Sequence, residues 1–163
     1  MSDEPVKIEV DDRELYELMN RMLAGLQNME PLMDDVSALM VKESAHQFKS
    51  QSGPDGTAWQ DLADSTNAQR EKKGTWPGYI LRRSSGLRNS VQPAYGPDWA
   101  QAGSNLRYSR IHFFGGQAGR GKKTTIPARP YLPVSAEGTL SEKARDRILN
   151  AMIDYVNNMN NVG

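Results

Sequence analysis

The sequence predicts an α+β fold: a small antiparallel sheet packed against two N-terminal helices and a C-terminal helix. Three observations carry this. Apolar residues recur at helical spacing up to Phe48 and again after Thr139, while short apolar runs broken by Gly and Pro fill the middle. The order of helices, then strands, then a helix is that of α+β rather than of alternating β–α units. A chain of 163 residues suits one domain with a proper core and leaves two cramped. With no internal repeat and no linker-like stretch, residues 1–163 read as a single domain.

Residues 1–10 form an acidic leader that reads as flexible. In "DDRELYELMNRMLAGLQNM", Leu15, Leu18, Met19, Met22, Leu23 and Leu26 alternate at spacings of three and one. That is an apolar helical stripe, with Asp11 or Asp12 placed to cap it. Pro31 stands where a first-turn proline is tolerated. It opens a second helix from about Leu32 to Phe48, with Met33, Val36, Leu39, Met40 and Phe48 on its buried side. Most of the eight methionines fall in these helices, an adaptable packing surface for a helical hairpin.

Gly53, Pro54, Asp55 and Gly56 then make a tight turn, which Trp59 and Leu62 pin back onto the core. Asp64 or Ser65 caps a short polar helix. From Gly74 onward, "GYILRRSSGLRNSV" and "WAQAGSNLRYSRIHFF" predict two to four antiparallel strands. "RYSRIHFF" equally fits one helical turn, since Tyr108 and Ile111 sit three apart. Residues 115–125 read as a mobile Gly/Lys/Arg loop, and "TTIPARPYLPVS", with its prolines, as an extended edge segment. The last helix starts near Thr139 or Ser141 and buries Leu140, Ala144, Ile148, Met152 and Tyr155. It frays over 157–163.

Composition narrows the function. The absence of cysteine removes disulfides and thiolate zinc sites. The longest apolar run, Ala38 to Val41, is far below the ~20 residues that cross a bilayer. No membrane association is expected, and the acidic start lacks the marks of a signal peptide, so a protein kept in the cytoplasm fits best.

"FGGQAGRGKKTT" imitates a nucleotide-binding P-loop without being one. Lys123 stands where a magnesium-holding hydroxyl belongs, and "TTIPARP" cannot supply the helix that faces the phosphates. His46 and His112 are the only histidines, and neither has a ligand partner at helical spacing on a shared face. There is no G-x-S-x-G elbow, and acidic pairs such as Asp34–Asp35 lie on a helix surface. No catalytic residue, metal site or cofactor is expected.

Charge is uneven although the net charge is zero. Residues 1–45 carry eleven Asp/Glu against four Lys/Arg, and residues 46–130 carry five against thirteen. Such halves attract each other within a fold or between subunits, and the basic middle also suits nucleic acid. Arg120, Lys122 and Lys123, set among glycines, and Arg82, Arg83 and Arg88 are the candidate contacts to a partner or to DNA. No aromatic lies inside the glycine loop, so protein contact is preferred there over base stacking.

Four stretches in order carry a family resemblance: "FKSQSGPDGTAWQDLADST", "ILRRSSGLRNSV", "AGSNLRYSRIHFFGG" and "IPARPYL". The chain resembles the phage virion morphogenesis family, the Mu-like and P2-like tail completion or head–tail joining proteins. Ser109 and Phe113 depart from its pattern. The resemblance implies a non-enzymatic structural protein of the virion, assembled in the host cytoplasm and acting at the head–tail junction. It also implies a homo-oligomeric ring, commonly six-fold, around the DNA channel. Partners would be other junction and tail proteins, with non-specific contact to channel DNA. Trp59, Leu87, Tyr108, His112, Arg129, Tyr131 and Leu132 are expected as structural anchors, with Arg129 forking onto a carboxylate. The alternative is a DNA-binding accessory protein using the basic middle region.

Overall fold

The computed structural model describes residues 13–161. The leader, the cap at Asp11 or Asp12, and the side chains of Leu15, Leu18, Met19 and Met22 lie outside the described residues. The order is α1 (Arg13–Gln27), α2 (Glu30–Ser50), α3 (Asp64–Lys72), α4 (Gly86–Asn89), β1 (Gln92–Tyr95), β2 (Ala100–Gly103), α5 (Ser109–Phe114), β3 (Gly116–Ala118), β4 (Thr124–Ile126) and α6 (Glu142–Asn161). The class is the mixed one expected, with helices at both ends. The strands form two separate antiparallel ribbons, β1–β2 and β3–β4, in place of one sheet. Pro93 pairs with Ala102, and Gln117 with Thr125.

α2 is the spine, packed against β1, β2 and α6. Pro31 lies in its first turn with Glu30, and Lys49 in its last, the charge order that suits a helix dipole. It ends at Gln51 in a left-handed conformation (φ 55°). The Gln51 side-chain oxygen accepts the Ile80 N–H at 2.7 Å, a long-range bond that holds this unfavourable backbone in place.

The core gathers Phe48, Trp59, Ile80, Leu87, Val91, Phe113 and Tyr131. Phe48 is fully buried between the Trp59 ring, met edge-on with centroids 5.7 Å apart, and the Tyr131 ring at 5.3 Å. Phe113 meets Tyr131 edge-on at 5.6 Å. Edge-to-face pairs of this kind contribute about 0.5–1.5 kcal/mol beyond their burial.

Several expectations are corrected. Residues 79–91 are not a strand but turns leading into α4. Their buried residues, Ile80, Leu87 and Val91, fall at spacings no strand can follow, and Leu81 and Ser85 adopt positive φ. "SRIHFF" is helical, because Ser109 and Phe113, four apart, both face inward. Asp64 lies inside the first turn of α3, whose cap position is Ala63, with no side-chain bond. Ser141 does cap α6, its Oγ accepting the Ala144 N–H at 3.1 Å. Leu23 and Leu26 of α1 and Met152 of α6 are exposed, not buried. The glycine-rich stretch contributes to the β3–β4 hairpin, residues 116–126, which turns through a 3₁₀ segment at Arg120–Lys122. Gly115 (φ 73°) starts it, where a Cβ would press on the Ala128 nitrogen at 2.8 Å.

Candidate functional site

In the "IPARPYL" segment Arg129 and Tyr131 are buried, and hydrogen bonds tie the segment to distant parts of the chain. Arg129, buried, donates from Nε and Nη2 to the Gln60 carbonyl at 3.0 and 2.8 Å, and from Nη2 to the Asp61 carbonyl at 3.1 Å. The expected fork is present, but it closes on two backbone carbonyls and not on a carboxylate. Those carbonyls sit between Trp59 and α3, where no helix or sheet partner is available. Burial draws the Arg129 pKa below its usual value; Arg70 adds to that and Asp61 opposes it.

Around this clamp, the Trp59 indole N–H donates to the Pro130 carbonyl at 3.0 Å, and Ser44 Oγ to the Tyr131 carbonyl at 2.6 Å. The Tyr131 hydroxyl donates to the Ser109 carbonyl at 3.2 Å. The Arg129 N–H donates to the His112 carbonyl at 2.8 Å. Of the expected anchors, Leu87 is buried and Leu132 packs on the core, whereas Tyr108 is exposed, its ring edge-on to His112 at 5.9 Å. Desolvation lowers the His112 pKa, and the nearby Arg129 charge lowers it further.

The six basic candidates do not share one surface. Arg120, Lys122 and Lys123 are exposed on the β3–β4 hairpin. Arg83 lines a concavity of about 360 Å³ with Arg70, Tyr108, His112 and Arg129. Arg82 and Arg88 line another, of about 440 Å³, where the other cations come from α2 and α6 and were not singled out in the sequence.

This second concavity is a basic groove assembled from separate elements. Lys42, His46 and Lys49 fall on one face of α2 at helical spacing, Lys143 and Arg147 four apart on α6, and Arg88 on α4. The turn after residue 78 adds Tyr79 and Arg82, with the guanidinium 4.5 Å from the centre of the Tyr79 ring. Glu43, on α2 and almost fully buried, pairs with Arg147 and with Lys143 (3.7 Å), tying the groove's two long helices together. α2 therefore runs from an acidic first half (Glu30, Asp34, Asp35) to a basic second half, so the charges do not divide into acidic helices and a basic strand region. The signal was legible only in part, as Lys42 and Lys49 seven apart.

Among the described residues no group of His, Asp and Glu is arranged to hold a metal ion, and no helix is long and apolar enough to cross a membrane. The described surface also exposes Leu149, Met152 and Ile153 on α6 and Leu23 and Leu26 on α1.

Comparison with known proteins gives one answer. The description of the phage virion morphogenesis family matches residues 10–157. The proposed capsid assembly protein G of Escherichia phage Mu is 33% identical over 105 residues, covering 63% of this chain and 67% of that protein. The Mu-like prophage FluMu G protein 2 of Haemophilus influenzae strain Rd is 31% identical over 128 residues, covering 78% of this chain and 83% of that protein. No solved structure gives a significant match.

Proposed function

The chain belongs to the phage virion morphogenesis family, and from that premise we propose that it is a non-enzymatic tail completion or head–tail joining protein. Family membership supports a structural role in phage assembly. One observation carries the non-enzymatic part. The residues that bear the resemblance are engaged with the protein's own chain: Trp59, Arg129 and Tyr131 donate to backbone carbonyls, and the Trp59 and Tyr131 rings pack on Phe48. Their chemistry is spent on holding the chain.

In this reading identical subunits join head to tail into a ring around the DNA channel, commonly of six copies. A heterologous contact closes when its rotation permits. The exposed apolar faces of α1 and α6 supply part of that contact. Other neck and tail proteins dock on the ring, which places the protein in the virion at the head–tail junction.

A second reading comes from the phage Mu relative, which is described as a capsid assembly protein. A role in head assembly instead of joining predicts a different arrest. The test removes the gene from its phage and images the lysate. Filled heads and finished tails that stay apart, and join when purified protein is added, support the joining reading. Loss of normal heads overturns it in favour of the second. Native mass spectrometry of the purified protein, with negative-stain images, then reads the copy number of any closed ring.

A further inference from the structure

We propose that the groove between α2, α4 and α6 binds the phosphate backbone of nucleic acid, through Lys42, Lys49, Arg82, Arg88, Lys143 and Arg147. The chain as a whole has no net charge, so attraction to a polyanion must come from a local concentration of cations. The groove provides one: six permanent cations and no carboxylate line a single concavity, with Glu43 paired to Arg147 and Lys143 behind them. His46 adds a further positive charge when protonated.

The lining also distinguishes nucleic acid from an acidic protein segment. A protein interface needs an apolar centre and is depleted in lysine. Here only Ala45 and the Tyr79 ring are apolar. Interfaces with nucleic acid are more polar and far more positive, as this one is. Arg82 is suited to a phosphate because the Tyr79 ring supports its guanidinium, 4.5 Å from the ring centre, and so holds the planar fork in place. Arg147 and Lys143 are held in place by Glu43 from below while keeping exposed surface.

The site takes in Arg82 and Arg88 of the basic residues the sequence singled out and leaves out Arg83 and the glycine-rich hairpin. It also stands apart from the head–tail reading, since binding in solution needs neither a ring nor a partner.

The test measures fluorescence anisotropy of a labelled 20-base-pair DNA duplex titrated with the full chain. Binding is expected to weaken with rising salt, with a log–log slope of about −3 to −5 for the phosphates contacted. Reversing three exposed groove cations together (Lys42→Glu, Lys49→Glu, Arg88→Glu) should weaken binding at least about tenfold. The milder set Lys42→Gln, Lys49→Gln, Arg88→Gln should give a smaller loss in the same direction, and it stands in should the reversed set fail to fold. Reversing Arg120, Lys122 and Lys123 on the hairpin should leave binding within about twofold. No binding at low salt would overturn the proposal, as would loss in the hairpin set with none in the groove sets. Poly-glutamate displacing the duplex at equal charge would likewise overturn it, assigning the groove to an acidic protein chain.

Discussion

The indole N–H of Trp59 donates to the carbonyl oxygen of Pro130 at 3.0 Å, joining two stretches 71 residues apart in sequence. Pro130 lies in a segment whose own backbone has few donors, since residues 127, 130 and 133 are prolines. Its carbonyl is therefore satisfied from a side chain across the core. Trp59→Phe keeps most of the ring and removes only the donor. It should lower stability by about 1–3 kcal/mol. Trp59→Ala, which also vacates the place beside Phe48, should cost about 3–5 kcal/mol. Urea unfolding with an unchanged slope checks both, and a Trp59→Phe variant as stable as wild type would show that the hydrogen bond contributes nothing.

The Arg129 clamp makes a related prediction. Its planar fork reaches two successive carbonyls at once, those of Gln60 and Asp61. A lysine ammonium is a point donor and cannot reproduce that geometry. Arg129→Lys is expected to lose about 2–4 kcal/mol although the charge is kept. Thermal unfolding by circular dichroism reads the loss. A melting temperature equal to wild type would mean the charge alone matters.

His112 sets a pH dependence. Its folded pKa lies below the ordinary value of 6.5 because burial, and then the Arg129 charge, disfavour the imidazolium. The unfolded chain therefore binds more protons than the folded one as the pH falls below 6.5. The contribution of His112 to stability is complete above that pH. It shrinks as the pH drops toward the lower folded value and is gone below it. His112→Gln should flatten this part of the curve of unfolding free energy against pH. The depressed carboxyls of Asp55 and Glu137 act in a separate window, below their ordinary values of 3.8 and 4.5. A wild-type curve already flat between pH 7.5 and 5 would refute the assignment.

The helices were legible because their signal is local and periodic. Phe48 and Ala144 fell where the spacing put them, and Ser141 was recognisable as a cap. The stretch from Tyr79 to Val91 was misread because its apolar residues are buried one at a time by tertiary contacts, leaving no period to detect. Arg129 was readable as a fork, but its acceptors could not be, since a backbone carbonyl leaves no mark in sequence. The basic groove was legible only in pieces, as Arg82 with Arg88 and as Lys42 with Lys49, for a similar reason. Lys42, Arg88 and Arg147 are far apart in the chain, and only the packing of α6 against α2 brings them together. Glu43, at the centre of that packing, looked like any other acidic residue on a helix surface.

The outer face of α6 carries the last prediction. Leu149 and Ile153 lie four apart and are 48% and 55% exposed, while Ala144, on the inner side of the same helix, is 2% exposed. If the outer pair serves contact between subunits, Leu149→Gln with Ile153→Gln should leave subunit stability within about 0.5 kcal/mol, as for ordinary surface changes. Copy number in native mass spectra, or the joining of heads to tails, should fall. Ala144→Leu is the control: overpacking the α2–α6 contact should cost about 1–3 kcal/mol whatever the assembly does. A helix face that tolerates glutamine in both assays is ordinary exposed surface, and the ring contact then has to be sought elsewhere, first at Leu23 and Leu26 of α1.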